Sequence, residues 1–285
     1  MPKQSTLFSI VTPSFNNRQY LPLCFNSISD QNIDHEHIVI DGISSDGTIG
    51  WLKSRTDVIS IIEEDEGMYD AINKGIQLAK GDIISYLNCD EQYLPGTLQK
   101  VADYFGCHPK VDLLFGNTLI IHPDGRLLSY RKSFVPRWQY VWGSFLYVYT
   151  SSMFVRRRVF ESGLRFDKRW KAAGDADFVV RALRNRFSAR HLSQYFSTFM
   201  ITGANLSTSH AADQELSDFH NLAPLWLRHS DFITHTLIRL EKYLHGGYSE
   251  KFPFSYSVYT VGHPDNRTKF IVSKASPLWK KWEIS

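Results

Sequence analysis

The 285-residue chain has the composition of a folded globular protein, with 43% hydrophobic and 21% charged residues, which excludes extensive disorder. A chain of this length can bury one large core or two modest ones. The formal net charge of +3 conceals an asymmetry, because residues 1–110 carry 8 basic and 15 acidic side chains, whereas residues 111–285 carry 24 and 14. An acidic first part suits a site that holds a cation, and a basic second part suits anionic substrates or an anionic membrane surface. Two solvated surfaces of opposite sign are the alternative.

The cysteine spacing and one uncharged stretch indicate in which cellular compartment the protein is expected and whether it contacts a membrane. Cys24, Cys89 and Cys107 show neither metal-ligand spacing nor an even disulfide framework, and no signal peptide precedes them. We therefore expect reduced thiols in a cytoplasmic protein. Residues 138–155 are uncharged and just long enough to span a bilayer, but their Gln, Ser and Thr side chains favour a buried or lipid-facing aromatic segment. A lipid-facing segment would place the protein at the inner face of the membrane.

The first hundred residues alternate between strand and helix signals. Apolar, β-branched runs predict strands at 7–14, 37–41, 58–62 and 81–87. Apolar residues at helical spacing, with cap or proline signals, predict helices at 18–29, 48–55, 67–80 and 95–105. Four βα units in succession imply right-handed crossovers, and so an α/β fold with a mainly parallel sheet and helices on both faces.

The pattern changes after residue 110. Two apolar runs around a turn at 122–125 predict a β-hairpin. The aromatic segment follows, and then Arg156, Arg157 and Arg158, which either meet an anionic ligand or lie on a solvated turn. A helix is predicted at about 175–186, opened by the sequence GDAD. The rest is aromatic-rich, helical over about 213–245 and irregular beyond. We therefore divide the chain after residues 110 and 212.

The predicted strand ends bring acidic and polar side chains to one edge of the sheet, where open α/β sheets bind ligands. They are Thr12, Pro13 and Ser14; Asp41 and Asp46; Glu63, Glu64, Asp65 and Glu66; and Asn88, Asp90 and Glu91. Each acidic residue alone is more simply a helix cap or a solvated loop residue. Together they would repel one another unless a ligand compensated them. Mg²⁺ or Mn²⁺ bridging phosphate oxygens is the natural compensator, and a carboxylate can also bind a base or a ribose.

Several common signatures are absent from the sequence. It contains neither G-x-G-x-x-G after the first strand nor G-x-x-x-x-G-K-[ST] anywhere, which argues against a dinucleotide-dependent dehydrogenase and a P-loop NTPase. His35 and His37 flank Glu36 at i, i+2 spacing, unlike the i, i+4 helical spacing of zinc proteases.

Four stretches, in order, resemble family 2 glycosyltransferases of the GT-A fold. They are SIVTPSFNN, IVIDGISSDGT, EEDEGMYDAINKGIQLAKGDII and YLNCDEQYLPGTL. The third is similar to a bacterial subgroup associated with exopolysaccharide and surface-glycan assembly. The resemblance implies an inverting transfer of a sugar from a nucleotide-diphospho-sugar to a hydroxyl of a glycan or lipid-linked saccharide. Within it, 1–110 would bind the nucleotide-sugar, 111–212 would be the acceptor-binding and catalytic half of the same domain, and 213–285 a helical extension.

The resemblance also implies residues for the donor site. They are Thr12, Pro13, Ser14, Asp41, Asp65, Asn73, Lys74, Asn88 and Asp90. Pro13 would frame the base, Asp41 would hold the base or ribose, and Asp65 would close the site. Asp90 falls on the family's D-x-D element, which binds the cation that bridges the diphosphate. Because Asn88 and Cys89 stand where the family often has an acidic residue, we expect weaker binding of Mn²⁺ or Mg²⁺ than usual.

For the acceptor side, the GDADF stretch resembles the motif that opens a helix with an acidic residue. An inverting transfer needs a base to take the proton from the acceptor hydroxyl, and we expect Asp175 in this role, with Asp177 second. Asp175 could instead cap its helix. His210 is either a third metal ligand or a surface histidine. Trp138, Trp142 and Tyr147 are candidates for stacking on the acceptor sugar, although we expect at least two of them to pack in the core.

Two other functions remain open from the sequence. A nucleotidyltransferase would need a glycine-rich, basic loop after the first strand, and TPSFNNRQY lacks one. An inactive nucleotide- or glycan-binding homologue is favoured by Cys89 and opposed by the intact GDAD element. We expect no nucleic-acid partner. The apolar residues of the C-terminal helical region predict a membrane contact or a homo-oligomer; they are Leu225, Trp226, Ile233, Leu237 and Leu240.

Overall fold

The computed structural model describes residues 7–203, 205 and 210–278, except for the side chains at 210 and 211. In its first half, the predicted alternation of strands and helices is confirmed. The strands are β1 (Phe8–Ser14), β2 (His35–Asp41), β3 (Ile59–Ile62) and β4 (Ile83–Tyr86). The helices are α1 (Leu21–Ser29), α2 (Thr48–Lys53), α3 (Met68–Leu78) and α4 (Thr97–Cys107).

The second half contains the predicted hairpin and the predicted GDAD helix. Its strands are β6 (Leu113–Ile121), β7 (Leu127–Arg131), β8 (Met153–Arg156) and β9 (Ala189–Met200), and a short strand β5 (Glu91–Tyr93) lies earlier, between β4 and α4. Its helices are α5 (Trp138–Gly143), α6 (Arg157–Glu161) and α7 (Gly174–Arg184), and a 3₁₀ turn (Thr150–Ser152) precedes β8. The uncharged stretch at 138–155 is thus divided among short elements. No helix in the described ranges is long and apolar enough to cross a membrane.

One mixed sheet organises these elements. Its strand order is β3-β2-β1-β4-β8-β6-β9-β5, with β7 paired beside β6. β1 to β4 pair in parallel, as predicted. Beyond them β8 runs antiparallel to both β4 and β6, whereas β6 and β9 pair in parallel, so the sheet is mixed and its parallel part is not confined to the first half. The short turn between β6 and β7 explains part of the antiparallel pairing, because a tight connection joins antiparallel strands.

Helices cover both faces of the sheet, as expected. Apolar side chains of α3 and α7 pack on one face, against residues that include Val11 and Ile40. Side chains of α1 and α4 pack on the other face, against residues that include Ile10 and Ile83. Successive residues of a strand point to opposite faces, which is why neighbours such as Ile10 and Val11 belong to different layers.

The C-terminal region is helical first, as predicted, and then forms a hairpin. Its elements are α8 (His210–Asn221), α9 (Leu225–Arg228), α10 (Asp231–Leu244), β10 (Phe254–Thr260) and β11 (His263–Val272), the last two antiparallel. The expectation of irregular structure beyond 245 is therefore wrong. The Gln92 side chain binds the backbone of Tyr259 through two hydrogen bonds (2.9 and 2.8 Å), and Arg267 pairs with Asp30 (2.5 Å). Turn-forming residues in β11, such as Pro264 and Asp265, concealed this strand in the sequence.

Candidate functional site

A cavity of about 1470 Å³ opens where the carboxyl ends of β1, β2 and β4 meet. Four acidic side chains line one part, which we call the acidic end: Asp65, Asp90, Glu91 and Asp175. Four basic side chains line another part, which we call the basic end: Arg131, His235, Arg239 and Lys242. A fifth basic lining residue, Lys171, lies next to Gly67 and so belongs to the acidic end. The acidic residues predicted at the strand ends thus include Asp65, Asp90 and Glu91 of the acidic end. Helix α10 of the C-terminal region supplies three of the four residues of the basic end.

Asp41 lies behind the cavity. Its side chain is fully buried at the end of β2, where Oδ2 accepts hydrogen bonds from the hydroxyls of Ser14 (2.8 Å) and Ser44 (2.7 Å). The Ser44 amide donates to Oδ1 at 2.8 Å. These bonds satisfy a carboxylate that would otherwise be costly to bury, and they fix the loops after β1 and β2 to each other. Ser14 and Gly42 line the cavity at this point, whereas Asp41 does not.

Asp65 lines the cavity after β3, in close contact with Gly42. Its Oδ1 accepts a hydrogen bond from the Gly67 amide at 2.8 Å. A Cβ atom built at residue 42 would lie 2.6 Å from Asp65 Oδ2, which is shorter than any ordinary van der Waals contact. Glycine at position 42 therefore allows the Asp65 carboxylate to hold its place in the wall.

Gly42→Ala is expected to displace Asp65 and weaken ligand binding at the acidic end, with little effect on folding. We expect the Kd for a nucleoside diphosphate to rise by about tenfold, because small displacements of positioning groups have effects of this size. Gly50→Ala is the matched control, since a Cβ there meets nothing within 4 Å. Calorimetric titration of both variants measures the effect. Equal Kd values would contradict the role given to the Gly42–Asp65 contact.

The turn after β4 is held from inside by Glu91 and Cys89. Glu91 is almost fully buried, and its Oε2 accepts a hydrogen bond from the Asn88 amide at 2.8 Å. Burial and the charge of Asp90 raise the pKa of Glu91 well above its usual range. The Cys89 thiol donates to the Pro13 carbonyl at 3.3 Å and so ties this turn to the end of β1. Cysteine at position 89 thus has a packing role here.

Asp90 presents its carboxylate to the cavity from the same turn. Its Oδ2 accepts a hydrogen bond from the Asn205 amide group at 3.1 Å. Burial raises the pKa of Asp90 to about 6. Asn88 and Glu91 line the cavity beside it, so the three predicted rim residues of this turn are close together.

Asp175 enters the same cavity from the first turn of α7. The Tyr86 hydroxyl donates a hydrogen bond to Oδ1, and the Thr150 hydroxyl donates to Oδ2 at 3.1 Å. The Asp175 amide donates to the Tyr69 hydroxyl at 3.2 Å. The side chain makes no capping bond to its own helix, so the capping alternative is not observed. Burial raises the pKa of Asp175, although the hydrogen bonds from Tyr86 and Thr150 act in the opposite direction.

The start of α7 is built around this carboxylate. A Cβ at Gly174 would lie 2.5 Å from the Tyr69 ring, so glycine allows the ring to pack under the helix. Glu215 of α8 accepts hydrogen bonds from the amides of Lys171 (2.7 Å), Ala172 (2.6 Å) and Ala173 (3.0 Å). These contacts satisfy backbone donors at the helix start and fix the position of Asp175.

Several residues predicted for the site lie outside the cavity lining. Thr12 is fully buried and hydrogen-bonded to His37 Nε2 at 2.8 Å. The Asn73 side chain holds the backbone of Phe166 through bonds of 2.8 and 3.0 Å. Lys74 Nζ is occupied by the Glu64 carbonyl at 2.5 Å. These three side chains are engaged in supporting contacts, so none of them enters the proposals below as a ligand group.

Of the other residues predicted for the site, some line the cavity and others pack or form ion pairs outside it. Asp177 is buried and paired with Arg181 at 2.6 Å. Trp138 and Trp142 pack against the core and against each other, with ring centroids 6.3 Å apart. Both therefore have the core-packing role that was the alternative to stacking on a sugar. Tyr147 lines the cavity. The side chain of His210 lies outside the described part of the chain.

The sequence reasoning missed the residues that hold Asp175 and those of the basic end. Thr150 lies in an aromatic stretch without a local signal, and Tyr86 reads as an ordinary strand residue. His235, Arg239 and Lys242 do carry a signal, because their i, i+4, i+7 spacing places three basic groups on one face of α10.

Comparison with known families decides which class of protein carries this cavity. A family model described as "Glycosyl transferase family 2" matches residues 9–164, more than half of the chain. The chain belongs to glycosyltransferase family 2. Open α/β sheets bind ligands at the carboxyl edge of their strands, which is where the acidic end of this glycosyltransferase lies.

Two relatives of this glycosyltransferase are named for biosynthetic roles. The PGL/p-HBAD biosynthesis glycosyltransferase of Mycobacterium bovis is 28% identical over 202 residues, which cover 63% of this chain and 70% of the relative. The putative teichuronic acid biosynthesis glycosyltransferase TuaG of Bacillus subtilis is 30% identical over 110 residues, covering 36% and 44%.

Solved structures share the fold of this glycosyltransferase. S. aureus TarS 1-349 in complex with UDP-GlcNAc superposes with a TM-score of 0.62 at 17% identity, covering 83% of this chain and 74% of TarS 1-349. The mannosyltransferase PcManGT from Pyrobaculum calidifontis, in complex with GDP-Man and Mn²⁺, gives 0.54 at 15% identity, covering 85% and 76%.

Proposed function

We propose that this glycosyltransferase inverts the anomeric centre of a nucleotide-diphospho-sugar, with Asp175 as the base. The observation that carries the proposal is the Asp175 carboxylate, which is held by Tyr86 and Thr150 in the same cavity as Asp65 and Asp90. The acidic end would take the donor, and the remaining volume would take the acceptor. Among its relatives, enzymes of surface-glycan synthesis favour a glycan or a lipid-linked saccharide as acceptor.

The chemistry asked of Asp175 is a proton transfer. As the acceptor hydroxyl attacks the anomeric carbon, its proton moves to a carboxylate oxygen of Asp175, and the bond to the nucleoside diphosphate breaks. Tyr86 and Thr150 each occupy one lone pair of the carboxylate, which leaves each oxygen free to accept another proton. Because the pKa of Asp175 is raised, kcat should fall with decreasing pH at a higher pH than an exposed aspartate would give.

A divalent cation fits the acidic end through Asp90. Among the described side chains, no three His, Cys, Asp or Glu residues converge on one metal position. Mg²⁺ commonly binds through one or two carboxylates together with substrate phosphates, and one carboxylate suffices in that arrangement. Asp90 Oδ1 and the Asn88 amide oxygen are hard donors of the required kind. When bound, the cation would neutralise charge on the departing diphosphate.

The assay for this proposal is the release of nucleoside diphosphate from a panel of UDP-, GDP- and dTDP-sugars. We expect slow, enzyme-dependent release from donors of one base, because water can replace a missing acceptor. Initial release of the inverted anomer, measured by NMR at high enzyme concentration, would support inversion. Nucleotide binding without any release would favour the inactive homologue, and release of the retained anomer would overturn the role of Asp175.

We also propose that α9 and α10 rest on an anionic membrane surface. Ile233, Leu237, Leu240 and Leu244 follow i, i+4, i+7, i+11 spacing on α10, and all four are exposed to solvent. Phe232 and Tyr243 border this stripe on α10 with exposed fractions of 83% and 71%, and Trp226 of α9 has an exposed fraction of 61%. Patches of this kind mark interaction sites, and rings such as Trp and Tyr favour membrane interfaces. Exposed Arg239 lines the cavity from the side of α10 that faces away from the stripe, so α10 would lie between the membrane and the basic end of the cavity.

Replacing Ile233, Leu240 and Leu244 together with Gln is expected to lower binding to vesicles of mixed neutral and anionic lipid by about tenfold or more, because apolar area is lost from the contact. The matched control carries Gln at three exposed apolar positions elsewhere: Ile59, Leu78 and Ile271. Vesicle flotation measures the partition. Failure of the unaltered protein to float, with a dimer in sedimentation that the triple variant abolishes, would assign the stripe to a second copy instead.

A further inference from the structure

The basic end of the cavity is separate from the donor elements. Arg131 ends β7, and His235, Arg239 and Lys242 project from one face of α10. None of the four lies on the strand ends that form the acidic end. The β1–β4 half of the sheet therefore has no part in this cluster, which lies on the acceptor side of the proposed site.

Three of these cations lack an acidic partner. Within the described ranges, Arg131, Arg239 and Lys242 form no ion pair. Arg131 donates from its NH1 group to the Pro277 carbonyl at 2.7 Å, while its Nε is buried and has no hydrogen-bond partner. Burial and the charge of Arg131 lower the pKa of Lys242 to about 8. Two cations that repel each other in a cavity indicate a site prepared for an anion.

Acidic residues near the cluster are engaged elsewhere. Glu241, on the same helix, pairs with Arg137 (3.0 Å) and accepts a hydrogen bond from Tyr140 (2.9 Å). Glu250 pairs with Lys132 at 3.0 Å. Asp231 pairs with His235 at 3.2 Å, so it compensates the one member of the cluster that is neutral when unprotonated.

In contrast to the cations of the basic end, the arginines at 156–158 all have protein partners for their guanidinium groups. Arg156 donates to the carbonyls of Val111 and Phe105, each at 2.8 Å, and Arg157 donates to those of Ala79 and Gly81. Arg158 pairs with Asp112 at 2.6 Å. The anionic-ligand alternative for that patch is therefore not supported, because its guanidinium groups already have protein partners.

The basic end is coupled to the proposed base through two consecutive residues. Tyr149 is close enough to Arg131 for the guanidinium charge to act on the Tyr149 pKa, which burial raises, and the Thr150 hydroxyl donates a hydrogen bond to the Asp175 carboxylate. Consecutive Cα atoms are about 3.8 Å apart, so the anion-binding groups and the base are held by neighbouring positions of one rigid turn. Tyr147 and Phe145 line the cavity next to this turn and offer ring faces for a sugar.

We propose that the basic end binds an anionic group, a phosphate or a carboxylate, on the saccharide acceptor. The proposal rests on the proposed function and adds the acceptor's chemical class. The Arg131 guanidinium and the Lys242 ammonium would provide the positive charge that faces the anion, and exposed Arg239 would add to it. Charge-assisted bonds of this kind are about twice as strong as neutral ones. They would orient the acceptor so that one of its hydroxyls faces Asp175.

The test uses three small saccharides that differ in charge: glucose 6-phosphate, glucuronate and glucose. Each is titrated, at low and high salt, into the protein already saturated with the nucleoside diphosphate and Mn²⁺. We expect one of the two anionic saccharides to bind at least about tenfold more tightly than glucose, with the difference reduced at high salt. The phosphate and carboxylate arms show which anion fits.

Arg131→Gln and Lys242→Gln should each abolish most of that preference. Lys132→Gln is the matched control, because Lys132 neighbours Arg131 in sequence but pairs with Glu250 and does not line the cavity. Equal binding of the three saccharides, or an unchanged preference in both variants, would overturn the proposal. A rise in the nucleotide Kd of both variants would assign these cations to the donor instead. Absence of any nucleotide binding by the unaltered protein would mark failure of the proposed function itself.

Discussion

Asp175→Asn is expected to lower kcat by about 10²–10⁴-fold, the range for removal of a general base. The amide cannot accept the acceptor's proton, yet it has nearly the shape of the carboxylate. Its oxygen can still accept the Tyr86 hydrogen bond, and its nitrogen can donate to Thr150. The Kd for the nucleoside diphosphate and the melting temperature should therefore change little. Single-turnover kinetics with saturating donor would isolate the chemical step.

Asp177→Asn is the control for this result. Asp177 lies two residues further along the same helix, but its carboxylate pairs with Arg181 and does not line the cavity. We expect it to lower stability and to keep kcat within about threefold, because an ion pair is lost without loss of the base. The pH profile adds an independent readout, since the acidic limb of kcat should disappear in Asp175→Asn. Similar kcat losses in both variants would contradict the assignment of the base.

Asp90→Asn is expected to remove most of the response to divalent cations and to lower kcat/KM by about 10²-fold or more, the effect of losing one charge-stabilising group. The amide keeps an oxygen but loses the negative charge that would balance the cation. Nucleoside diphosphate affinity with Mn²⁺ should fall to the value measured in EDTA. Titration calorimetry with and without metal gives both affinities.

Asp82→Asn is the matched control for Asp90, because Asp82 is exposed just before the other end of β4. It should leave metal dependence unchanged. If Asp90→Asn kept the full stimulation by Mn²⁺, the cation would have to be held by other groups, and the D-x-D assignment would fail. Because Asn88 and Cys89 carry no carboxylate, Asp90 would be the main protein ligand of the cation, so its replacement should have a clear effect on metal dependence.

The donor half was accessible from the sequence because its signals are local. β1, β2 and β4 are largely buried parallel strands and β3 is a partly exposed edge strand, yet all four have near-continuous apolar runs, and polar residues at or just after the end of each run mark the edge. Pro13, Ser14, Asp65, Asn88 and Asp90 accordingly line the cavity. The same reasoning placed Asp41 there, but a strand end does not reveal whether a carboxylate faces the ligand or, as here, the neighbouring loop.

The acceptor half depends on contacts between residues far apart in sequence. Tyr86 and Thr150 contact Asp175 across separations of 89 and 25 residues, and no local sequence pattern around them predicts these contacts. The hairpin of β10 and β11 was missed for a related reason, since its apolar residues are interrupted by residues typical of turns. Only the cations of α10 carried a readable pattern. Their function depends on Arg131, which reaches them from a different strand.

A donor site formed by Asp65 and Asp90 is tested most directly by measuring the melting temperature of the protein with UDP, GDP or dTDP, and with CMP as control. Each nucleotide is measured in Mn²⁺, Mg²⁺ or EDTA. A ligand that binds only the folded state stabilises it by about 2.7 kcal/mol at a hundredfold excess over Kd. We expect Tm to rise with one diphosphate, more with metal than in EDTA, and we expect the additional rise due to metal to be lost in Asp90→Asn. Absence of a shift with any nucleotide, with or without metal, would contradict a donor site formed by Asp65 and Asp90.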